Sequence, residues 1–142
     1  MVWVSLYAGI PVVYANSALI QATVQQSGTK VTLLDTYFQD KHTGWVVGAG
    51  GTLLRTEDGG DTWINLPRRT NVLLTVVTFV DDKHGWVLGQ NGTILHSKNS
   101  GKTWLPQISG TNAMLYGTYF LDSQRGWIVG ERGTLLYTAD GG

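Results

Sequence analysis

The residue types that carry catalysis or ligation are sparse in this chain, and those present are spaced out rather than gathered. Asp81 and Asp82 are adjacent carboxylates that could be imagined as general acid and base, but neighbours on a short turn point apart and stay solvated. His42, His84 and His96 invite a metal-site reading. The first two fall in loops of separate repeats. The third shares its repeat position with Arg55 and Tyr137, as a variable surface position on a strand would, so no metal is expected. Asp58 and Asp140 lack the alternating oxygen ligands of a calcium loop. The chain has no Cys, which excludes disulfides, thiolate catalysis and Cys-held zinc or iron–sulfur centres. Ten Lys+Arg balance ten Asp+Glu, so no global field draws the molecule onto nucleic acid or anionic lipid. These residues predict no catalytic group and no cofactor.

The elements that must position them follow from one interval. Gly44-Trp45, Gly85-Trp86 and Gly126-Trp127 stand 41 residues apart, as do Phe38, Phe79 and Phe120, then Asp40, Asp81 and Asp122, then Gly51-Thr52, Gly92-Thr93 and Gly133-Thr134. The copies run over 24–64, 65–105 and 106–142, the last without its closing segment. Residues 1–23 stand apart as a leader. Val2 to Tyr14 is apolar and uncharged, too short for a membrane span, and Val13-Tyr14-Ala15 offers a signal-peptidase pattern with cleavage before Asn16, although no Lys or Arg precedes Lys30. An edge strand or a short buried helix over Val2–Tyr14 is the alternative.

Within one copy, Val31 to Phe38 reads as a first strand ending at a polar turn. Trp45-Val46-Val47 and Thr52-Leu53-Leu54 read as a hairpin closed by Gly48 to Gly51, with Asn91-Gly92 as the strong turn signal in the second copy. Thr62-Trp63-Ile64 supplies a fourth strand. Four antiparallel strands in about 40 residues, with 19 Gly and 3 Pro, predict an all-β chain of propeller blades.

The turn before the fourth strand has the most specific pattern, Thr56-Glu57-Asp58-Gly59-Gly60-Asp61-Thr62-Trp63 and Ser97-Lys98-Asn99-Ser100-Gly101-Lys102-Thr103-Trp104, cut short at Thr138-Ala139-Asp140-Gly141-Gly142. Asp58 or Asn99 is expected to close the loop by accepting backbone N–H groups, and Gly60 and Gly101 to supply a positive φ. Because Ser100 replaces Gly59, the earlier glycine reads as sterically dispensable. Trp63 and Trp104 are expected to enter the last strand as buried plates, each contributing on the order of 5 kcal/mol at most.

At these residues the sequence resembles the Asp-box, or BNR, repeat, with Thr62 and Thr103 in its Thr-Trp step. More narrowly it resembles the Ycf48/Hcf136 family of photosystem II assembly factors and their non-photosynthetic relatives. The resemblance covers Val24 to Gly142 and implies an exported β-propeller, in the thylakoid lumen or periplasm, acting as a non-catalytic scaffold on a membrane-protein subunit such as a photosystem II reaction-centre protein. Asp-box propellers also include sialidases, which need an arginine cluster and a Tyr nucleophile. Here Arg125 and Arg132 fall in turns and no Tyr can be nominated. A glycosidase fragment is thus the second reading, and a structural blade segment of a larger extracellular protein the third. Closed propellers use four to eight blades, so the natural protein is expected to be longer or to associate with copies of itself through open blade edges.

Charge by copy is uneven. Residues 65–105 carry five basic and two acidic side chains. Arg68, Arg69, Lys98 and Lys102 are therefore the expected partner contacts, facing an acidic segment.

Overall fold

The computed structural model describes residues 22–142, so the proposed leader, apart from its last two residues, lies outside the described part. Among the described residues eleven strands form three antiparallel sheets. The first contains β1 (Leu33–Phe38), β2 (Gly44–Gly48), β3 (Leu53–Thr56) and β4 (Ile64–Asn65) in sequence order. The second repeats it with β5 (Leu74–Phe79), β6 (Gly85–Gly89), β7 (Ile94–Ser97) and β8 (Leu105–Gln107). The third has β9 (Leu115–Phe120), β10 (Gly126–Gly130) and β11 (Leu135–Thr138), and no fourth strand among the described residues. This is the all-β, four-stranded blade architecture expected from the repeat.

Local sequence explains each corner. In the β2–β3 turn the Thr52 N–H donates to the Ala49 carbonyl at 3.2 Å, and Gly50 and Gly51 both have positive φ. Asn91-Gly92 and Arg132-Gly133 repeat that left-handed pair, which is the backbone a tight hairpin needs. The Gly of each Gly-Trp pairs across the sheet with the Phe that starts the preceding turn, as Phe79 with Gly85. A Cβ on Gly85 would lie 2.6 Å from that ring, so glycine here makes room for an aromatic lid. Asp40, Asp81 and Asp122 each accept two backbone N–H groups in the turn between the first two strands, which accounts for their recurrence.

The core sits between blades rather than within one. Trp45, Val47 and Leu53 of the first sheet pack with Leu74, Val77, Phe79, Val87, Leu95 and Trp104 of the second. Trp86, Leu88 and Ile94 pack in the same way with Leu115 and Ile128 of the third. Burying an indole completely, as for Trp45 and Trp86, is worth about 4–6 kcal/mol as an upper figure.

Three expectations need correction. The fourth strand begins one residue after each Asp-box tryptophan, so Trp63 and Trp104 sit at the turn exit rather than in the strand. Trp104 is buried but Trp63 only half-buried, edge-on to Phe38 with ring centres 6.0 Å apart, because only Trp104 has a preceding blade to cover it among the described residues. Ser100 has φ 59° and Gly59 φ 77°, so the earlier turn position is left-handed too. Serine adopts that conformation at some cost, and the position is less free than the Gly/Ser exchange implied.

Candidate functional site

The first two Asp-box turns are closed hydrogen-bond rings. Thr56 ends β3 and its Oγ1 accepts the Gly60 N–H at 2.9 Å while donating to Asp58 Oδ1 at 2.7 Å. Asp58 then accepts the Thr62 N–H at 2.9 Å and, through Oδ2, the Thr62 hydroxyl at 2.5 Å. These bonds, the Thr62 hydroxyl foremost, pull the Asp58 carboxyl down to about 2. In the second blade Asn99 takes the same place: its Oδ1 accepts the Thr103 N–H and its Nδ2 donates to the Thr103 hydroxyl, both at 2.9 Å. The amide reverses the direction of one bond and keeps the ring, so the turn needs a planar Asx group rather than a charge. Gly101 has φ 66°, and a Cβ there would lie 2.3 Å from the Trp45 indole nitrogen, so this glycine also fixes the approach of one blade to the next.

The blade-to-blade seam is an aromatic stack. Trp45 lies 4.2 Å from Phe79, and Trp86 lies 3.5 Å from Phe120 at 11° between planes. The other face of each indole is covered from the third strand: Arg55 stands 5.7 Å over Trp45, His96 stacks on Trp86 at 4.5 Å and 9°, and Tyr137 lies 5.3 Å from Trp127. The position shared by Arg55, His96 and Tyr137 is thus an indole cover, not a variable surface position. His96 is 5% exposed. Burial first, then Lys98 and His84, push its imidazole down to about 4. Every cover presents a cation or a π-face to the indole, and that shared chemistry could have revealed it from sequence.

The remaining chemistry-bearing residues do not converge. Asp81 accepts from the Lys83 and His84 backbone and contacts His84 Nδ1 at 2.8 Å, whereas Asp82 accepts from Gln39 of the first blade at 2.8 Å. The pair is therefore divided between two structural tasks. Arg125 is held by Asp122 at 2.7 Å, Arg55 by Glu57 at 2.5 Å, and Arg132 occupies a hairpin turn. Among the described residues no three His, Asp or Glu side chains gather as a metal site.

The four basic candidates are all exposed but fall into two separate places. Lys98 and Lys102 flank the second Asp-box turn, whose Ser100 N–H donates to the Lys83 carbonyl, at the end of the blade that carries the turns between first and second strands. Arg68 and Arg69 lie in the connection from β4 to β5, at the opposite end, where Gly51 N–H donates to the Val72 carbonyl. Arg69 lines an open groove of about 470 Å³ with Asn91, Pro106 and Asn112. The up-and-down course of the strands places the two pairs at opposite ends of the blade.

Repeated four-stranded sheets, seamed by indoles and tied by Asp-box turns, define a non-closed run of β-propeller blades. The chain belongs to the family described as Photosynthesis system II assembly factor YCF48, whose model matches residues 15–109. It is 53% identical over 38 residues to the photosystem II assembly protein Ycf48 of Thermosynechococcus vestitus (strain NIES-2133 / IAM M-273 / BP-1), a match covering 27% of this chain and 11% of that protein. To the Ycf48 of Synechococcus sp. (strain JA-3-3Ab) it is 44% identical over 39 residues, 28% of this chain and 12% of the other. A solved structure of YCF48 bound to a D1 peptide superposes with TM-score 0.73 at 28% identity, over 84% of this chain and 39% of that one. YCF48 from Cyanidioschyzon merolae gives 0.65 at 28% identity, over 78% and 38%. The chain spans well under half of each of these solved relatives.

Proposed function

We propose that residues 24–142 serve as blades of a non-catalytic scaffold that holds a photosystem II reaction-centre subunit during assembly, outside the cytoplasm in the thylakoid lumen or periplasm. The observation that carries this reading is the likeness to YCF48 bound to a D1 peptide, in a chain that belongs to the same family. The absence of catalysis is supported by where the polar groups go: Asp58, Asp81 and Asp122 are engaged in their own turns, and His96 lies under an indole. An exported location is supported by the leader-like sequence and the named relatives. For the contact we favour the Arg68-Arg69 pair, exposed beside the groove that Arg69 lines.

The test is capture from a cyanobacterial thylakoid extract with the tagged chain. Recovery of a reaction-centre subunit by the wild type and its loss with Arg68→Glu/Arg69→Glu is the expected result. Capture unchanged by the double substitution removes the proposed contact, and no capture of such a subunit by the wild type removes the scaffold reading for these blades.

A further inference from the structure

We propose that Asn91-Gly92 is a self-modification site, where the chain converts its own asparagine to aspartate and isoaspartate when the seam between the second and third blades opens. The proposal is independent of the partner reading above. It takes up the Asn-Gly pair that marks the second hairpin, whose chemistry the turn itself does not use. Asparagine is a thermally labile side chain, and its Cγ lies within five-membered-ring reach of the next backbone nitrogen. A following glycine leaves that nitrogen unshielded by any side chain.

Asn91 is exposed at the tip between β6 and β7, with φ 58° and ψ 37°. The equivalent tips hold Gly50-Gly51 and Arg132-Gly133 in the same left-handed pair. The fold therefore requires the backbone shape and not the amide. Two features hold the reaction in check. At ψ 37° the Gly92 nitrogen points away from the Asn91 Cβ, whereas a five-membered imide needs the two on the same side of the Cα–C bond. Gly92 is also buried, and its N–H donates at 2.8 Å to the Ala113 carbonyl in the connection from β8 to β9. A Cβ on Gly92 would run into the Thr111 carbonyl oxygen, so that connection lies directly against the tip. Turning ψ breaks the bond to Ala113, and reaction therefore requires local opening of the seam. Asn99-Ser100 is the internal contrast. Both side-chain amide atoms of Asn99 are bonded to Thr103, and the Ser100 N–H donates to the Lys83 carbonyl at 3.0 Å.

Once the tip opens, the Gly92 nitrogen gives its proton to water or hydroxide and attacks Asn91 Cγ. The N–Cγ bond forms, the Cγ–Nδ2 bond breaks, and Nδ2 takes a proton from water and leaves as ammonia. Water then opens the imide. Cleavage of the N–Cγ bond gives isoaspartate's isomer, aspartate, and cleavage between that nitrogen and the main-chain carbonyl carbon of residue 91 gives isoaspartate. Water is the only co-reactant, and nothing is oxidised or reduced. Either product puts a carboxylate in the groove that Arg69 lines. The isoaspartyl link also routes the main chain through Cβ, one atom longer, which displaces the Gly92 N–H from Ala113 and from the geometry a tight hairpin needs. A tip that has reacted stays loosened, so the conversion records the opening.

The test incubates the full chain in mildly alkaline buffer and follows it by tryptic mass mapping, with isoaspartate read by methyl transfer from S-adenosylmethionine catalysed by an isoaspartyl methyltransferase. Cleavage after Lys83, Lys98 and Lys102 puts Asn91 in the 84–98 fragment and Asn99 in the 99–102 fragment. Conversion is expected at Asn91 ahead of Asn99, about ten- to a thousandfold slower than in the free 84–98 peptide. Ile128→Val thins the packing of the second seam and Val47→Ala that of the first, and the milder Ile128→Val should nonetheless speed Asn91 more. Asn91→Gly, which copies Gly50, should remove methyl acceptance and keep the fold. The reacted chain should lose hydrogen-exchange protection at the Gly92 amide. No product at Asn91 after about a hundred peptide half-lives, or a folded-chain rate equal to that of the peptide, would overturn the proposal. So would earlier conversion of Asn99, equal or greater acceleration by Val47→Ala, methyl acceptance retained by Asn91→Gly, or unchanged protection at Gly92 after conversion.

Discussion

Replacing His96 by Phe should remove a specific acid sensitivity from this fold. His96 lies flat on Trp86, with the Gln107 amide donating to its Nδ1 at 3.2 Å, which leaves the neutral ring with its proton on Nε2. Protonating Nδ1 would turn that contact into two opposed donors in a buried seam, beside Lys98 and His84. Burial of the ring above all, with the positive charge of Lys98 and His84 nearby, lowers the imidazole to about 4 in the folded chain against about 6.5 when unfolded. A depressed histidine pKa means that the unfolded chain binds the extra proton first. Stability is full above about pH 6.5 and falls as the pH drops towards 4. The gap corresponds to about 3 kcal/mol once both states are protonated, and to about 2 kcal/mol between pH 7.5 and 5. The assay is urea unfolding of wild type and His96→Phe at half-unit steps from pH 7.5 to 4.5. Phe keeps the stack, and carboxylate titrations common to both chains cancel in the difference. The wild type should lose about 2 kcal/mol more than the variant by pH 5. Parallel profiles would refute the argument, as would an NMR titration of the His96 ring with a midpoint near 6.5.

Gly101→Ala should cost about 2–4 kcal/mol, because left-handed strain adds to a Cβ driven into the Trp45 ring, whereas Gly50→Ala, with φ 63° and no atom within 4 Å, should cost about 1 kcal/mol. Equal losses in chemical denaturation would remove the seam from the explanation. Trp45→Ala should destabilise by about 3–5 kcal/mol and Trp127→Ala by far less, since the first indole is fully covered and the second is 38% exposed; the same unfolding curves decide it. The Asp58 carboxyl should titrate near 2 by NMR, and Thr62→Val should move it back towards the ordinary range. Any stabilisation from Asp58 is present above its unfolded pKa and is lost as the pH falls towards 2, the acid side of the His96 window.

The interval of 41 residues and the types that recur at it made the blades legible in advance. A Phe six residues before a Gly, an Asx four residues before a Thr, and Asn-Gly between short β-prone runs each encode a contact within one blade, at short sequence separation. The Asx ring of the Asp-box was readable for the same reason, down to the interchange of Asp58 and Asn99. Ser100 misled because a side chain can occupy left-handed backbone at modest cost, and composition does not display φ.

By itself, then, the sequence determined the repeat, the all-β blades, the turn chemistry and the family resemblance, all properties of local hydrogen bonding and periodicity. Only the tertiary structure decided that His96 lies buried against an indole, that Trp63 is half-covered while Trp104 is enclosed, and that Arg68-Arg69 and Lys98/Lys102 occupy opposite ends of the blades. Those outcomes depend on which blade lies against which face. A side chain's burial and pKa are set by what packs over it, and equivalent positions in identical repeats differ once their neighbours differ.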